Sequence, residues 1–202
     1  MNKSSRTVKL KGVLISYPNL AKPRAGQDGG EPKYSASFVL VPGPSFEANK
    51  TAINTAIAEV VEEGFGKSGK LQRAGGSLHD PLRTDAEDKG YPEGSLFINA
   101  RTGKQPGFVF SHAGPVVGAD GKAKPAVIPQ DKIEDVLYAG AIVNAVVQFY
   151  AFDKEGKKKG VGVGLGNIQK VADGPRLDGR KSATDDFEAD EALAPAELED
   201  LE

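Results

Sequence analysis

Cysteine and tryptophan are absent from the 202-residue chain, methionine occurs once and histidine twice. Without cysteine there is no disulfide framework, no thiolate metal site and no thiol nucleophile. Two histidines, His79 and His112, are too few to build a histidine metal site and read as ordinary loop residues. No apolar run reaches the length of about 18 residues that a membrane-spanning helix needs. The start, MNKSSRTVKLKG, has no apolar core of a secretory signal, so the expected location is the cytoplasm. Neither a metal nor an organic cofactor is expected.

Motifs that would carry catalysis also fail. Gly160, Gly162, Gly164 and Gly166 repeat with a period of two, whereas a dinucleotide fingerprint places its third glycine three residues after the second. Period two belongs to a strand. One side of it carries Val161, Val163 and Leu165, and the other is bare backbone. That bare side suits either a tightly bent barrel strand against which another element packs, or a flat surface that a nucleotide can approach. GADGKAK lacks the Walker spacing, and DAEDKGYPEGSLF has Lys89 where a calcium loop needs a ligand. Ser77, His79 and Asp80 are neighbours on one loop, an unsuitable arrangement for a nucleophile relay. No enzymatic activity is expected.

With 25 glycines and 13 prolines, the chain favours short strands and many turns. RTVKLKGVLI (6–15) and KYSASFVLV (33–41) alternate apolar and polar residues as half-buried strands do, and residues 16–32 between them read as a loop. Ser45 can cap a helix running to about Glu63, with Ile53, Ile57 and Val60 on one stripe and Gly64 as the stop. Residues 64–94 read as loops with a short turn of helix. SLFINAR (95–101) is a further strand, GFVFSHAGPVV and KAKPAVI flank a turn at Asp120-Gly121, and DKIEDVL is a short helix. AIVNAVVQFYAF (141–152) and GVGVGLGNIQKV (160–171) form a long hairpin. The expected fold is mainly β: a small barrel of OB-like, Greek-key topology over residues 1–175 with one inserted α-helix and long loops. Residues 176–202 are expected to be a flexible acidic tail.

The outer faces of these strands share a composition. They present Lys9 and Lys11; Phe97, Asn99 and Arg101; and Asn144, Gln148 and Tyr150. Tyr17, Arg24, Lys33, Lys104 and the hairpin-tip lysines Lys157 and Lys158 are candidates for the same surface. Cations follow phosphates and rings stack under bases at about 1–3 kcal/mol each, so this mixture suits single-stranded nucleic acid. A basic helix of the kind that enters a duplex groove is not visible. The competing interpretation is that lysines and arginines on outer faces merely solubilise strand edges.

Net charge is −2 overall, but nine acids and no base lie in residues 182–202. Set against the nineteen acids that remain, the 26 bases give residues 1–181 a formal charge of +7. A basic body carrying an anionic tail points to a polyanion partner. The tail is expected to compete weakly with that polyanion for the cationic surface. Asp185, Asp186, Glu188, Glu199 and Asp200, punctuated by Phe187 and Leu201, are the candidate contacts for proteins that the tail recruits.

In order and spacing, SYPNL, YSASFVLVP, HDPLRTDAEDKGYPEG, residues 137–174 and LDGRKSATDDF resemble a bacteriophage-encoded family of OB-fold single-stranded DNA-binding proteins once filed as of unknown function. The resemblance covers nearly the whole chain. It implies sequence-independent binding in phage DNA replication or recombination, without catalysis. Proteins of this type often end in an aromatic or hydrophobic tip. Here the end is Leu201-Glu202 and Phe187 lies well inside. The alternative function is a virion structural or protein-interaction module with a basic sheet surface. A homodimer is compatible with either.

Overall fold

The computed structural model describes residues 5–26, 29–154, 158–177 and 179. Its strands are β1 (Ser5–Arg24), β2 (Lys33–Leu40), β3 (Leu96–Thr102), β4 (Phe108–Val117), β5 (Ala123–Val127), β6 (Ile142–Lys154) and β7 (Lys158–Ala172). The helices are α1 (Phe46–Phe65), α2 (Lys67–Ala74) and the single turn α3 (Ile133–Val136).

Five of the strands close into a barrel. β1 pairs antiparallel with β6 along its first half and with β2 along its second, and Leu14 has a partner on both sides. β2 pairs with β3, and β6 with β7. A parallel contact between Arg101 of β3 and Gly164 of β7 completes the circuit. This is the expected OB-like closure, in which the edge problem of an open sheet disappears. β4 and β5 extend β7 outside the barrel.

β1 serves two partners because it bends twice. Gly12 has φ +59° and sits where the β1–β6 register shifts. Tyr17 has φ +44° and sits where the β1–β2 register shifts. The expected loop at 16–32 is therefore shorter, because strand continues to Arg24. Pro18 and Pro23 disguised it. Both fall at register shifts, where no ladder donor is required of them.

Val8, Leu10, Val13, Phe38, Leu40, Ile98, Val143, Val147, Phe149, Val161 and Val163 fill the barrel. α1 covers its open end with Ile53, Ile57, Val60 and Val61, the stripe its periodicity predicts. The helix passes Gly64 and ends at Gly66, whose N–H bonds to Glu62 O. Gly64 is needed for packing instead of termination: a Cβ there would lie 2.6 Å from Ala151 Cβ on β6. Asn49 anchors the first turn, its side-chain amide exchanging two hydrogen bonds with the backbone of Lys11 at 2.8 and 3.0 Å. Residues 67–74 form a two-turn helix where mostly loop was expected.

A second, smaller core corrects one expectation. Phe97 does lie on the outer side of β3, as alternation places it, yet it is only 3% exposed. A strap formed by residues 78–91 crosses that side. It buries Phe97 with Leu14, Val39, Ala86 and Tyr91, and the Tyr91 and Phe97 rings meet edge-on at 5.5 Å. Phe97 is thus unavailable for stacking on a base. Replacing Phe97 by alanine should destabilise the fold by about 3–5 kcal/mol, the usual loss for a buried ring. Urea unfolding checks this, and a loss below about 1 kcal/mol would show that the ring is not core.

Candidate nucleic-acid interface

Register across the barrel assembles one continuous polar row on its outer wall. Asn19 of β1 lies opposite Ser35 of β2, and Ser35 opposite Arg101 of β3. Arg101 faces Gly164 of β7, Gly164 faces Gln148 of β6, and Gln148 faces Thr7 at the other end of β1. Cross-strand partners share a face, so all six belong to the outside. Their chain neighbours Val8, Ala100, Val147, Phe149 and Val163 are buried inside. A cation, two amides, two hydroxyls and a bare glycine thus encircle the wall.

The glycine ladder divides between its two interpretations. At Gly160 a Cβ would meet the backbone of His79 at 2.5 Å, and at Gly162 the Tyr150 ring at 2.6 Å. At Gly166 it would meet the Val146 carbonyl at 2.8 Å. These three glycines make room for neighbours. Gly164 is different, because a Cβ there would find only Gln148, at an ordinary 3.5 Å or more. Its outer side is a shallow flat between Arg101 and Gln148.

The strap supplies the next layer. It enters between the beginnings of β3 and β7 by backbone bonds, His79 N–H to Lys159 O and Val161 N–H to His79 O, both 3.0 Å. On its other side Arg83 and Phe97 exchange two more, at 2.9 and 3.1 Å. His79 consequently stands among Arg83, Lys158 and Arg101. Burial first, then Arg83, Lys158 and Arg101, hold its pKa below the ordinary 6.5, against an opposing pull from Asp80. Arg83 itself is paired with Asp85 through two hydrogen bonds at 2.9 and 2.6 Å. No carboxylate among the described residues pairs with Arg101 or Lys158.

The remaining candidates fall around this centre. Asn99, one row along, accepts a 2.6 Å hydrogen bond from the Ser37 hydroxyl. Tyr150 is half-buried, its ring laid over Gly162. Arg24 and Lys33 are exposed register partners at the end of the β1–β2 pair, and exposed Lys104 follows the end of β3 beside them. Lys9 is exposed opposite Val146, next to the Thr7–Gln148 pair. Lys11 is exposed at the β1 bulge, away from the row and against α1. Tyr17 is 64% exposed and lines a groove beyond the Asn19 end of the row, together with Arg24. Lys157 and the tail residues Asp185, Asp186, Phe187, Glu188, Glu199, Asp200 and Leu201 lie outside the described residues. Thr7, Asn19, Ser35 and His79 were missed as site candidates. Alternation marks Ser35 as outward, but only register shows that it neighbours Arg101. Among the described residues no cluster of three acidic or histidine side chains could hold a metal, and no helix is long and apolar enough to cross a membrane.

With this wall in view, the comparisons are decisive about kinship. Residues 6–198 match the family described as Enterobacter phage Enc34, ssDNA-binding protein. The chain belongs to that family. Within it, the single-stranded DNA-binding protein of bacteriophage Enc34, solved in complex with ssDNA, is 25% identical with a TM-score of 0.62. That match covers 84% of this chain and 88% of the Enc34 chain. Protein p50 of Acyrthosiphon pisum secondary endosymbiont phage 1 is 28% identical over 96% of this chain and 97% of its own. The bacteriophage T7 single-stranded DNA-binding protein gp2.5 shares the fold at 12% identity, TM-score 0.52, over 95% of this chain and 98% of that one.

The His79 environment has a measurable consequence. A base whose folded pKa is depressed confers its full share of stability above the unfolded value of 6.5, and loses it as pH falls from there through the lower folded value. Stability should therefore decline as pH drops from 7 towards 5, and less so in His79→Gln. Urea midpoints at several pH values check this; identical slopes for the two proteins would contradict the assignment.

Proposed function

We propose that the chain coats single-stranded DNA without regard to sequence, in replication or recombination of phage DNA, and that it does so without catalysis. Membership of the Enc34 family and the likeness to a relative solved with ssDNA support the partner. The observation that carries the site is the polar row Asn19–Ser35–Arg101–Gly164–Gln148–Thr7.

The row fits the demands of a flexible polyanion. Arg101 and Lys158 would neutralise phosphates at its centre, with Arg24, Lys33 and Lys104 continuing the cationic track along the β2–β3 end. The flat at Gly164 would let a sugar or base approach the backbone, and the Gln148 and Asn99 amides can bond whatever edge is presented. Tyr150, resting on Gly162, offers a stacking ring at the flank. Such contacts read charge and ring faces, not base identity, so indifference to sequence follows. Host-cell cytoplasm is the compartment this role implies.

The tail completes the reading. Its nine carboxylates in residues 182–202 are tethered to the basic body. A short tether gives roughly millimolar effective concentration, enough for weak occupancy of the track. An incoming strand with denser charge would displace the tail and free it for replication or recombination proteins.

One titration tests both parts. The full chain and a chain lacking residues 182–202 are titrated with fluorescent oligo-dT and a matched duplex across a salt series. If about four phosphates are neutralised, log K against log salt slopes near −3, since a single strand contributes about −0.7 per contact. Oligo-dT should bind far more tightly than duplex, and the truncated chain more tightly than the full one. A flat salt profile, or preference for duplex, would overturn the DNA assignment; equal or weaker affinity after truncation would overturn the competing tail alone.

A further inference from the structure

The β4–β5 hairpin leaves the barrel almost at once. β4 pairs with β7 only through Phe108, Val109 and Phe110, and beyond that the ribbon pairs with itself, down to Val117 opposite Ala123. Val116 and Val117 are each 62% exposed, and Val127 is 71% exposed. These are half of the six large apolar side chains that the described surface exposes. Val127 lies at the root of the ribbon opposite Val109, so Val116 and Val117 are the exposed pair beside the turn. A two-stranded ribbon is marginal by itself in water, and exposed valines on one mark a contact surface. The contact is not made by adding a strand along β5, since Pro125 removes a donor from that strand. The apolar surface near the turn is what has to be covered. Two lysines accompany it: Lys122, and Lys124, which lies 3.7 Å from Asp120.

A groove with matching features lies on another part of the same molecule. About 740 Å³ in volume, it runs between the second half of β1 and α3, and no hairpin residue lines it. Tyr17, Leu137 and Tyr138 belong to its apolar lining, and Glu134 and Asp135 of α3 line it as well. Both acids are exposed, and neither has an ion-pair partner among the described residues. Arg24 and Arg176 also line the groove, Arg176 with its guanidinium 4.8 Å from the centre of the Tyr138 ring, and Glu134 and Asp135 are the acids left for the hairpin lysines.

We infer that the β4–β5 hairpin of one copy seats its valine tip in the Tyr17–Tyr138 groove of a second copy, with Lys122 and Lys124 against Glu134 and Asp135. Two complementary patches separated on one surface make a head-to-tail contact, which either exchanges between two copies or propagates along a row. Phosphates would meet the two acids in this groove, and valines give them nothing to bind. The contact stands whether or not the barrel wall carries DNA, so it can be tested without DNA.

The cysteine-free chain allows a clean test. Full-length Val117→Cys is mixed with full-length Ala139→Cys, a position on the groove wall, and oxidised mildly. A control mixture replaces the second protein by Thr55→Cys, exposed on α1. Seated tips should give about ten-fold more mixed disulfide than the control, because a bound pair raises the local thiol concentration. Lys122→Glu with Lys124→Glu in the Val117→Cys protein should return the yield to control. Glu134→Lys with Asp135→Lys in its partner should then restore it. Equal melting temperatures throughout would show that the variants fold. A yield no higher than control overturns the inference, as does trapping that appears only after residues 178–202 are removed, which would give the groove to the tail.

Discussion

Everything on the outer wall depends on how two parallel strands, β3 and β7, meet at Arg101 and Gly164. Each of the other barrel seams is an antiparallel pairing of several residues. This seam is a single pair. It brings an arginine from one half of the chain beside a strand from the other, and without it Arg101 and Gly164 would sit on opposite edges of the opened barrel sheet, with Gln148 one strand further in. The glycine at the joint keeps the surface between them flat. Closure, a requirement of folding, thereby also creates a polar path over the strands.

The strap shows how the same seam is supported. Upstream of Arg101 the two strands diverge, and residues 79–83 fill the opening with ladder bonds to both. That insertion accounts for Gly160, which has no room for a side chain beside His79. It also draws Arg83, Lys158 and Arg101 around one imidazole, a concentration of positive charge expressed in the lowered His79 pKa. Tyr91 closes over Phe97 at the far end of the strap. Half of the β2–β3 outer side, Ser37 included, is therefore buried, and the other half, from Asn99 and Ser35 to Lys33 and Lys104, remains available.

Alternation made the barrel legible. Val8, Leu10, Phe38, Ile98, Val143 and Val147 alternate with the polar residues of their strands, so period alone puts them inside, and an aliphatic stripe orients α1. Two local signals misled. Pro18 and Pro23 gave strand β1 the look of a loop, and Gly64 looked like a stop because a glycine that admits a neighbour resembles one that ends a helix. Period two could put Phe97 on the outer side but had no means of seeing a strap that crosses from residues far away. Register is the information a single sequence lacks most. Arg101, Gln148 and Tyr150 could each be proposed from composition, whereas their relation to Thr7, Ser35 and Gly164 required the pairing of five strands. Charge asymmetry between body and tail, in contrast, needs no structure at all.

The flat at Gly164 offers the most direct test of the account, because it can be filled without disturbing the barrel. Its Cβ position meets only Gln148 at ordinary contact distance. Gly164→Leu is measured for melting temperature and for oligo-dT affinity at one low salt concentration. The account predicts an unchanged melt and an affinity lower by about ten-fold or more, equivalent to losing one base or sugar contact. A folded Gly164→Leu protein that binds oligo-dT as tightly as the parent would contradict it.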